Sequence, residues 1–361
     1  MSFTVASIPV PDLDAPLPQD ILDLVEVERA HHRRLYGHED LVHPARAVAL
    51  GLTRQESTRR ERLLARDDSG RAVGAAHVTM PVRDNQHLGF FFPSWDPTSG
   101  APFDEVQDTL WAAAEHILTE HGRTSVSTWA MHPESDVEDG PVTWLEPSTG
   151  SGQVLEDRRA RWFAAHGFTL EQVELYSVLD LADLPAQPAA QGGVEGSASH
   201  TAYRTRVWEG ATPAELRAGM ARLRNRMSVD TPTGGVDFGE EQWDAARVAE
   251  HDERLADLGD LRLTAVALDP EGEPVAYTEL NHDPQAPACA TQDDTLVHGD
   301  HRGHGLGRRV KAANLARLRE VAPTVRRVHT WNAVENTHML AINADLGFRA
   351  MGAQGAWQLR R

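Results

Sequence analysis

Apolar residues occur in short runs that repeat along the chain with the same spacing. Residues 61–80 and residues 261–280 each contain two apolar runs joined by a hinge of Asp and Gly residues. Runs of this length around such a hinge are typical of β-hairpins. Trp129 and Trp331, each in a later apolar run, lie 202 positions apart, which is also the offset between the hinge glycines Gly70 and Gly272. The constant offset predicts a duplicated unit.

The two copies are separated by a segment of different composition. Residues 181–200 are rich in Pro, Ala, Gly and Ser and show no apolar periodicity. This composition is typical of a linker. We therefore predict a first domain over residues 1–183, a linker over 184–200 and a second domain over 201–361. A chain of 361 residues is long enough for two hydrophobic cores.

Charge and composition exclude several classes of protein. The chain has 35 Lys and Arg against 54 Asp and Glu, a net charge of −19, which disfavours nucleic acid and anionic membranes as partners. No window approaches 18 uninterrupted apolar residues, so no membrane span is expected. Lys311 is the only lysine, and Cys289 is the only cysteine. One cysteine and no signal-peptide pattern indicate a cytoplasmic protein, and the 18 histidines form no metal-binding motif, so we expect no metal.

A glycine-rich turn lies between a predicted strand that ends at Val297 and a predicted helix over residues 310–321. Three glycines in five residues allow positive φ and let N–H groups converge at the positive end of the helix. Arg302, Arg308 and Arg309 add positive charge in an acidic chain. Neither the Walker pattern nor the G-x-G-x-x-G spacing is present. The turn therefore predicts an anion cradle suited to a pyrophosphate.

This turn resembles the R/Q-x-x-G-x-G/A loop of the GNAT superfamily, the acyl-CoA-dependent N-acetyltransferases. The matching loop residues are Arg302, Gly303, His304, Gly305, Leu306 and Gly307. The later motif of the family is matched in order by Asn332, Asn336, Met339, Asn343 and Leu346–Phe348. The resemblance covers roughly residues 200–361, and three elements in family order make it specific.

The resemblance implies an α/β (α+β) fold of two GNAT-like domains, each with a mixed, mostly antiparallel central sheet flanked by helices. It also implies acetyl-CoA as cosubstrate. The pyrophosphate would lie at the loop, with Arg302 and Arg308 near the phosphates, and Asn332 or Asn336 would contact the pantetheine arm beside a V-shaped split between two central strands.

The first half lacks the cradle at the position that the offset makes equivalent. Residues 100–105 retain one of the three glycines, Pro102 removes an N–H group, and Asp104 and Glu105 place negative charge at the start of the next helix. Carboxylates there satisfy the helix end and repel a pyrophosphate. We predict a degenerate GNAT-like domain that does not bind coenzyme A and that supports the active half or shapes its acceptor pocket.

The family mechanism is direct attack of an amine on the thioester. A backbone N–H near Leu296 or Val297 would stabilise the oxyanion. The family often protonates the leaving thiolate with a tyrosine three residues before Leu-Gly-Phe, but this position is Asn343. An amide cannot act as an acid, so Asn343 would hydrogen-bond the sulfur, or another group or water would protonate it.

Two carboxylates are candidates for the general base that takes the amine proton. Glu279 lies in an apolar predicted strand, and Asp294 lies three residues before Val297. Burial raises the pKa of such a carboxylate toward the useful range, although either could instead be exposed at a strand edge. On a regular strand Asp293 points to the opposite face from Asp294.

The sequence thus predicts an N-acetyltransferase that acts on the amine of a small molecule. The acidic balance favours a cationic acceptor. A non-catalytic coenzyme A-binding sensor or scaffold is the alternative, supported by the missing tyrosine. The acceptor's identity, the acyl chain and the oligomeric state stay open.

Overall fold

The computed structural model describes residues 2–136, 142–183 and 202–361. The predicted linker at 184–200 lies outside these residues. Within them, no helix combines the length and the apolar character that a membrane crossing requires. The chain divides into two compact units, with Met1–Glu174, Thr233–Phe238 and Gly352–Arg361 in the first unit and Leu175–Pro232 and Gly239–Met351 in the second.

The described residues form eight α-helices and fourteen β-strands. The elements up to residue 183 are β1 Phe3–Ser7, α1 Gln19–Tyr36, α2 Ala45–Thr53, β2 Thr58–Asp67, β3 Ala72–Pro81, β4 Leu88–Trp95, α3 Phe103–Glu120, β5 Ser125–Met131, β6 Trp144–Leu145, β7 Val154–Leu155, α4 Arg158–Ala165 and β8 Thr169–Asp180. The later elements are β9 Arg204–Glu209, α5 Arg217–Asp230, α6 Ala245–Leu258, β10 Leu261–Leu268, β11 Pro274–His282, β12 Cys289–Val297, α7 Leu306–Val321, β13 Arg327–Ala333, α8 Thr337–Asp345 and β14 Arg349–Arg360.

The first unit is a sheet with helices on both faces. Its strand order is β1-β2-β3-β4-β5-β14, and β2 and β3 form the predicted hairpin, with Gly70 at φ +85° in the turn. Helices α1 and α2 share a core with Ala75. The neighbouring Gly74 faces the other side, where a Cβ would lie 2.4 Å from Val106 Cγ1 of α3, so glycine lets α3 pack directly on the sheet.

The second unit repeats this plan. Its strand order is β9-β10-β11-β12-β13-β8, and β10 and β11 form the second predicted hairpin. Helices α5 and α6 pack on the face that carries Val266, Tyr277 and Leu296. Helix α7 packs through Leu306 and Val310 on the opposite face. Both sheets are mixed and mostly antiparallel, which confirms the expected fold class.

The last strand of each unit comes from the other half of the chain. Strand β14 pairs antiparallel with β5 in the first unit, and residues 175–180 of β8 belong to the second unit beside β13. The compact units therefore differ from the predicted division into 1–183 and 201–361. The reason is that a duplicated chain offers a similar strand edge in each copy, so local sequence pattern does not specify which edge each final strand joins.

Two central strands of the second unit separate at one end. Strands β12 and β13 run parallel and pair over Cys289–Thr291 and Arg327–His329, although they continue to Val297 and Ala333. Beyond the paired residues they diverge. This is the V-shaped split that the resemblance implies, and its open end leads into the glycine-rich loop.

Candidate functional site

The loop before α7 has the backbone conformation that its glycines predict. Gly303 has φ +81° and Gly305, which caps α7, has φ +67°. A Cβ at either position would meet nothing within 4 Å, whereas a Cβ at Gly307 would lie 3.2 Å from Ile342 Cδ1. The first two glycines therefore supply the left-handed turns in front of open space, and Gly307 lets α7 approach α8.

The first turn of α7 presents donors to that space. In the described part of the chain, the N–H groups of Leu306, Gly307 and Arg308 donate to no protein acceptor. Unpaired amides at the positive end of a helix form an anion-binding site. His304, also in the loop, packs its ring 5.5 Å from the ring of Tyr203.

Two arginines at the rim of the loop are already ion-paired. Arg302 Nη2 lies 2.9 Å from Asp230 Oδ2, and its Nε donates to the Val297 carbonyl at 3.2 Å. Arg308 Nε donates to Asp345 Oδ2. The arginine side chains are 58% and 51% exposed, so they remain accessible to an anion in solvent.

The end of β12 connects the loop with both faces of the sheet. Leu296 is buried among side chains of α5, while Val297 packs against Leu306 and Val310 of α7. Their backbone therefore lies beside the open end of the split, which is where the resemblance places the oxyanion donor.

The structure brings two of the three predicted asparagines together. Asn343 Nδ2 donates to Asn332 Oδ1 at 2.6 Å, and Asn343 is 2% exposed. Asn336 lies apart from this pair, because its Oδ1 accepts from the Met339 N–H and caps α8. Asn343 thus holds Asn332 at the end of β13, next to the split.

A β-bulge interrupts the pairing of β11 with β12. Thr278 lies opposite Thr295 and Leu280 lies opposite Gln292, so Asp293 and Asp294 together oppose the single residue Glu279. The expectation that Asp293 faces away from Asp294 is wrong, because a bulge breaks the alternation of a regular strand. Both aspartates lie on the α5 face with Tyr277, Glu279 and Asn281.

The three carboxylates have different partners. Glu279 is 2% exposed, and its Oε1 accepts from Arg224 Nη2 at 2.7 Å and from Arg262 Nη1 at 3.4 Å. Asp294 Oδ2 accepts from the Tyr277 hydroxyl at 3.0 Å. Asp293 accepts from Asn281 Nδ2.

The carboxylates at the bulge lie close enough together to shift one another's pKa values. Burial and the like charge of Glu279 raise the pKa of Asp294. Desolvation and the like charges of Asp294 and Glu279 also raise the pKa of Asp293, even though 37% of its side chain remains exposed. Burial, followed by the charge of Asp294, holds the pKa of Tyr277 well above its ordinary value, so this hydroxyl stays a donor.

The equivalent position in the first unit is filled by side chains. Pro102 precedes α3, and Phe103 is 8% exposed and packs edge-on against Trp95 at 5.6 Å. Trp95 Nε1 donates to the Ala101 carbonyl at 3.0 Å. Strands β3 and β4 pair without a register shift, so this unit has no counterpart of the bulge either.

Comparison with known proteins agrees with this geometry. Residues 227–348 match the sequence profile of the Acetyltransferase (GNAT) family. Over these residues the chain is similar to GNAT acetyltransferases. Among solved structures, a tandem GNAT protein from the clavulanic acid biosynthesis pathway, without AcCoA, matches with a TM-score of 0.74 at 22% identity, over 99% of this chain and 98% of that one. A GCN5-related N-acetyltransferase from Sphaerobacter thermophilus matches with a TM-score of 0.62 at 14% identity, over 99% of this chain and 95% of that one. No curated protein is significantly similar in sequence.

The family profile supports an acyltransferase function in general, and the loop before α7 fits the pyrophosphate of coenzyme A. The space in front of Gly303 and Gly305 is open, and a side chain at either position would project into that space. The donors that face it are backbone N–H groups, which suit an anion and not a cation.

Several residues of the candidate site were not predicted from the sequence. Arg224 and Arg262 hold Glu279 from α5 and β10, and Asn281 contacts Asp293. The available signal was the alternation of Tyr277, Glu279 and Asn281, which places a polar group at every second position of an apolar strand.

Lys311 of α7 was also not predicted as a buried group. It is 1% exposed, and its Nζ lies 5.5 Å from the centre of the Phe348 ring. Burial lowers the pKa of this amine from 10.5 to about 7.

Proposed function

We propose that this protein is an N-acetyltransferase that moves an acetyl group from acetyl-CoA to the amine of a small molecule. The observation that carries the proposal is the double role of β12. Its end leads into the loop of unpaired amides, and its bulge, three residues earlier, presents Asp293 and Asp294 on the α5 face. One strand therefore brings a pyrophosphate site and a pair of proton acceptors to the same split.

The binding of acetyl-CoA is assigned to the second unit. The first-turn amides of α7, with Gly303 and Gly305, would hold the pyrophosphate, and Arg302 and Arg308 would add charge at the rim. When bound, the cosubstrate supplies the activated thioester. Asn343 orients the Asn332 side chain, whose Nδ2 is left to donate to the pantetheine arm.

Within the proposal, the bulge aspartates take the proton of the attacking amine. Glu279 is less suitable, because its Oε1 already accepts from two guanidinium groups. Asp293 and Asp294 carry raised pKa values, which bring a carboxylate closer to the basicity that proton transfer requires. Since the two interact, they titrate as a coupled pair.

Direct attack then needs an oxyanion donor and a proton for the leaving thiolate. The backbone at Leu296 and Val297 lies at the open end of the split and would supply the N–H. Asn343 cannot be the acid, since it is an amide held by Asn332. Another group or water would therefore protonate the thiolate.

The first unit is proposed as a degenerate copy without a coenzyme A site. Phe103 and Trp95 occupy the position of the loop, and Asp104 and Glu105 lie in the first turn of α3. The expected acceptor is a cationic amine, drawn by the net charge of −19 and by the bulge carboxylates. The same charge argues against nucleic acid and membrane partners, and the single cysteine fits the cytoplasm.

A coenzyme A-binding sensor is the second candidate, favoured by Asn343 at the position of the family tyrosine. Release of free thiol from acetyl-CoA in the presence of a panel of amines separates the two functions. Amine-dependent thiol release supports the transferase. Binding of acetyl-CoA without such release supports the sensor.

A further inference from the structure

Each arginine at the rim of the loop is paired with the last residue of a helix. Asp230, the partner of Arg302, ends α5, and Asp345, the partner of Arg308, ends α8. Both pairs lie within the second unit. The positive groups nearest the pyrophosphate site are therefore neutralised by two different helix ends.

An aspartate at a helix C-terminus is unfavourable, because its charge adds to the negative end of the helix dipole. Asp230 is compensated by two cations, since Oδ1 accepts from Arg226 and Oδ2 from Arg302. Its side chain is only 11% exposed, so water replaces a lost partner poorly. The last turn of α5 thus depends in part on a side chain of the loop.

We propose that Asp230 is a displaceable counter-ion: acyl-CoA takes Arg302 from it and thereby loosens the last turn of α5. The inference rests on the proposed function, because it needs acyl-CoA at the loop. The carboxylate and the pyrophosphate carry the same charge and compete for the same guanidinium. Asp230 is accordingly a positioning residue, which sets the affinity of the loop without touching the reacting atoms.

Helix α5 also contacts the face of the sheet that carries Asp293 and Asp294. Six residues before Asp230, Arg224 donates to Glu279 at 2.7 Å, and Glu279 lies opposite Asp293 and Asp294 at the bulge. The helix end that loses Arg302 therefore belongs to the same helix as the arginine that pairs with Glu279.

The test is titration of acetyl-CoA into the full chain and into Asp230→Asn at low ionic strength. Removing the competitor should tighten acetyl-CoA binding about 3- to 10-fold, the effect of roughly one displaced ion pair, and the difference should shrink at high salt. Asp345→Asn should act in the same direction. Glu215→Gln is the matched control: it removes the same charge from the Arg206 pair, beyond the other end of α5, and should leave the affinity unchanged.

Hydrogen exchange of the last turn of α5 gives a second readout. Saturating acetyl-CoA should speed exchange at residues 226–230 in the wild type and should change it little in Asp230→Asn, where no carboxylate loses a cation. Equal or weaker acetyl-CoA binding by Asp230→Asn contradicts the role of Asp230 as a counter-ion that competes for Arg302. Tighter binding without the exchange response overturns the loosening of the last turn of α5. Absence of acetyl-CoA binding in the wild type instead overturns the proposed function.

Discussion

Glu279 accepts a hydrogen bond from Arg224 at 2.7 Å, and both side chains are more than nine-tenths buried. In the first unit, His77 stands 202 positions before Glu279 and contacts Glu28 of α1 at 2.5 Å. A polar helix-to-strand contact thus occurs at this strand position in both copies, with the carboxylate on the strand in the second unit and on the helix in the first. This pairing makes Glu279 a structural carboxylate of the second unit.

Glu279→Gln should therefore destabilise the second unit. Breaking a buried ion pair leaves an uncompensated guanidinium and costs about 3–5 kcal/mol. Chemical denaturation measures the loss. The double variant Arg224→Met, Glu279→Leu removes both charges and should recover most of the stability, while a wild-type midpoint in Glu279→Gln would show that the pair is not stabilising.

Asp293→Asn and Asp294→Asn should affect turnover and not acetyl-CoA binding. Loss of the proton acceptor is expected to lower kcat about 10²- to 10⁴-fold. Because the pKa of each carboxylate is raised, the wild-type rate should climb as pH rises through those values and the pair deprotonates. Alkaline pH should partly rescue the variant, since more acceptor is already deprotonated.

If both amide variants keep full activity across the pH range, neither aspartate is the base. Rescue that is absent in a variant with reduced stability would indicate a folding defect and not a lost proton acceptor. The stability of each variant is therefore measured beside its pH profile.

Gly305→Asp should abolish acetyl-CoA binding. It places a Cβ and a negative charge where the amides meet the phosphate, at φ +67°. Gly210→Asp is the control, because Gly210 also has φ +67° and open space around its Cβ but lies before α5. Calorimetry should show one site per chain in the wild type and in Gly210→Asp. Binding that survives in Gly305→Asp, or a second equivalent site, would contradict the assignment of the loop.

Lys311→Met should change how stability depends on pH. The unfolded chain holds the Lys311 proton up to about pH 10.5 and the folded protein only to about pH 7, so wild-type stability should rise with pH across this window. At about 1.4 kcal/mol per pKa unit the difference approaches 5 kcal/mol. Lys311→Met should lack this rise and be more stable than the wild type at pH 6. Equal pH dependence in the two proteins would show that Lys311 is not the titrating group.

The loop and the duplicated plan could be predicted because their signals are local. Positive φ at Gly303 and Gly305 and the two hairpins follow from glycine placement and spacing, and the split between β12 and β13 follows from the resemblance to the GNAT superfamily. The bulge could not be predicted, since one extra residue in β12 changes no local pattern yet turns Asp293 to the α5 face. The exchange of β8 and β14 could not be predicted either. It depends on which sheet each strand joins, and this is decided by tertiary packing and not by local sequence.

The burial of Lys311 illustrates the same limit. On a helix that starts at an anion site, a lysine is expected to point to solvent or to phosphate. Its position beneath Phe348 follows from how α7 meets the sheet, where Gly307 allows close contact with α8.

The most direct test of the account is amine-dependent release of free thiol from acetyl-CoA, measured on the full chain with a panel of small amines. The account predicts release that needs an amine, is greatest for cationic acceptors, and is lost in Gly305→Asp and strongly reduced in one of the bulge variants. Acetyl-CoA binding at one site with no amine-dependent release would contradict it and identify a coenzyme A-binding protein without transferase activity.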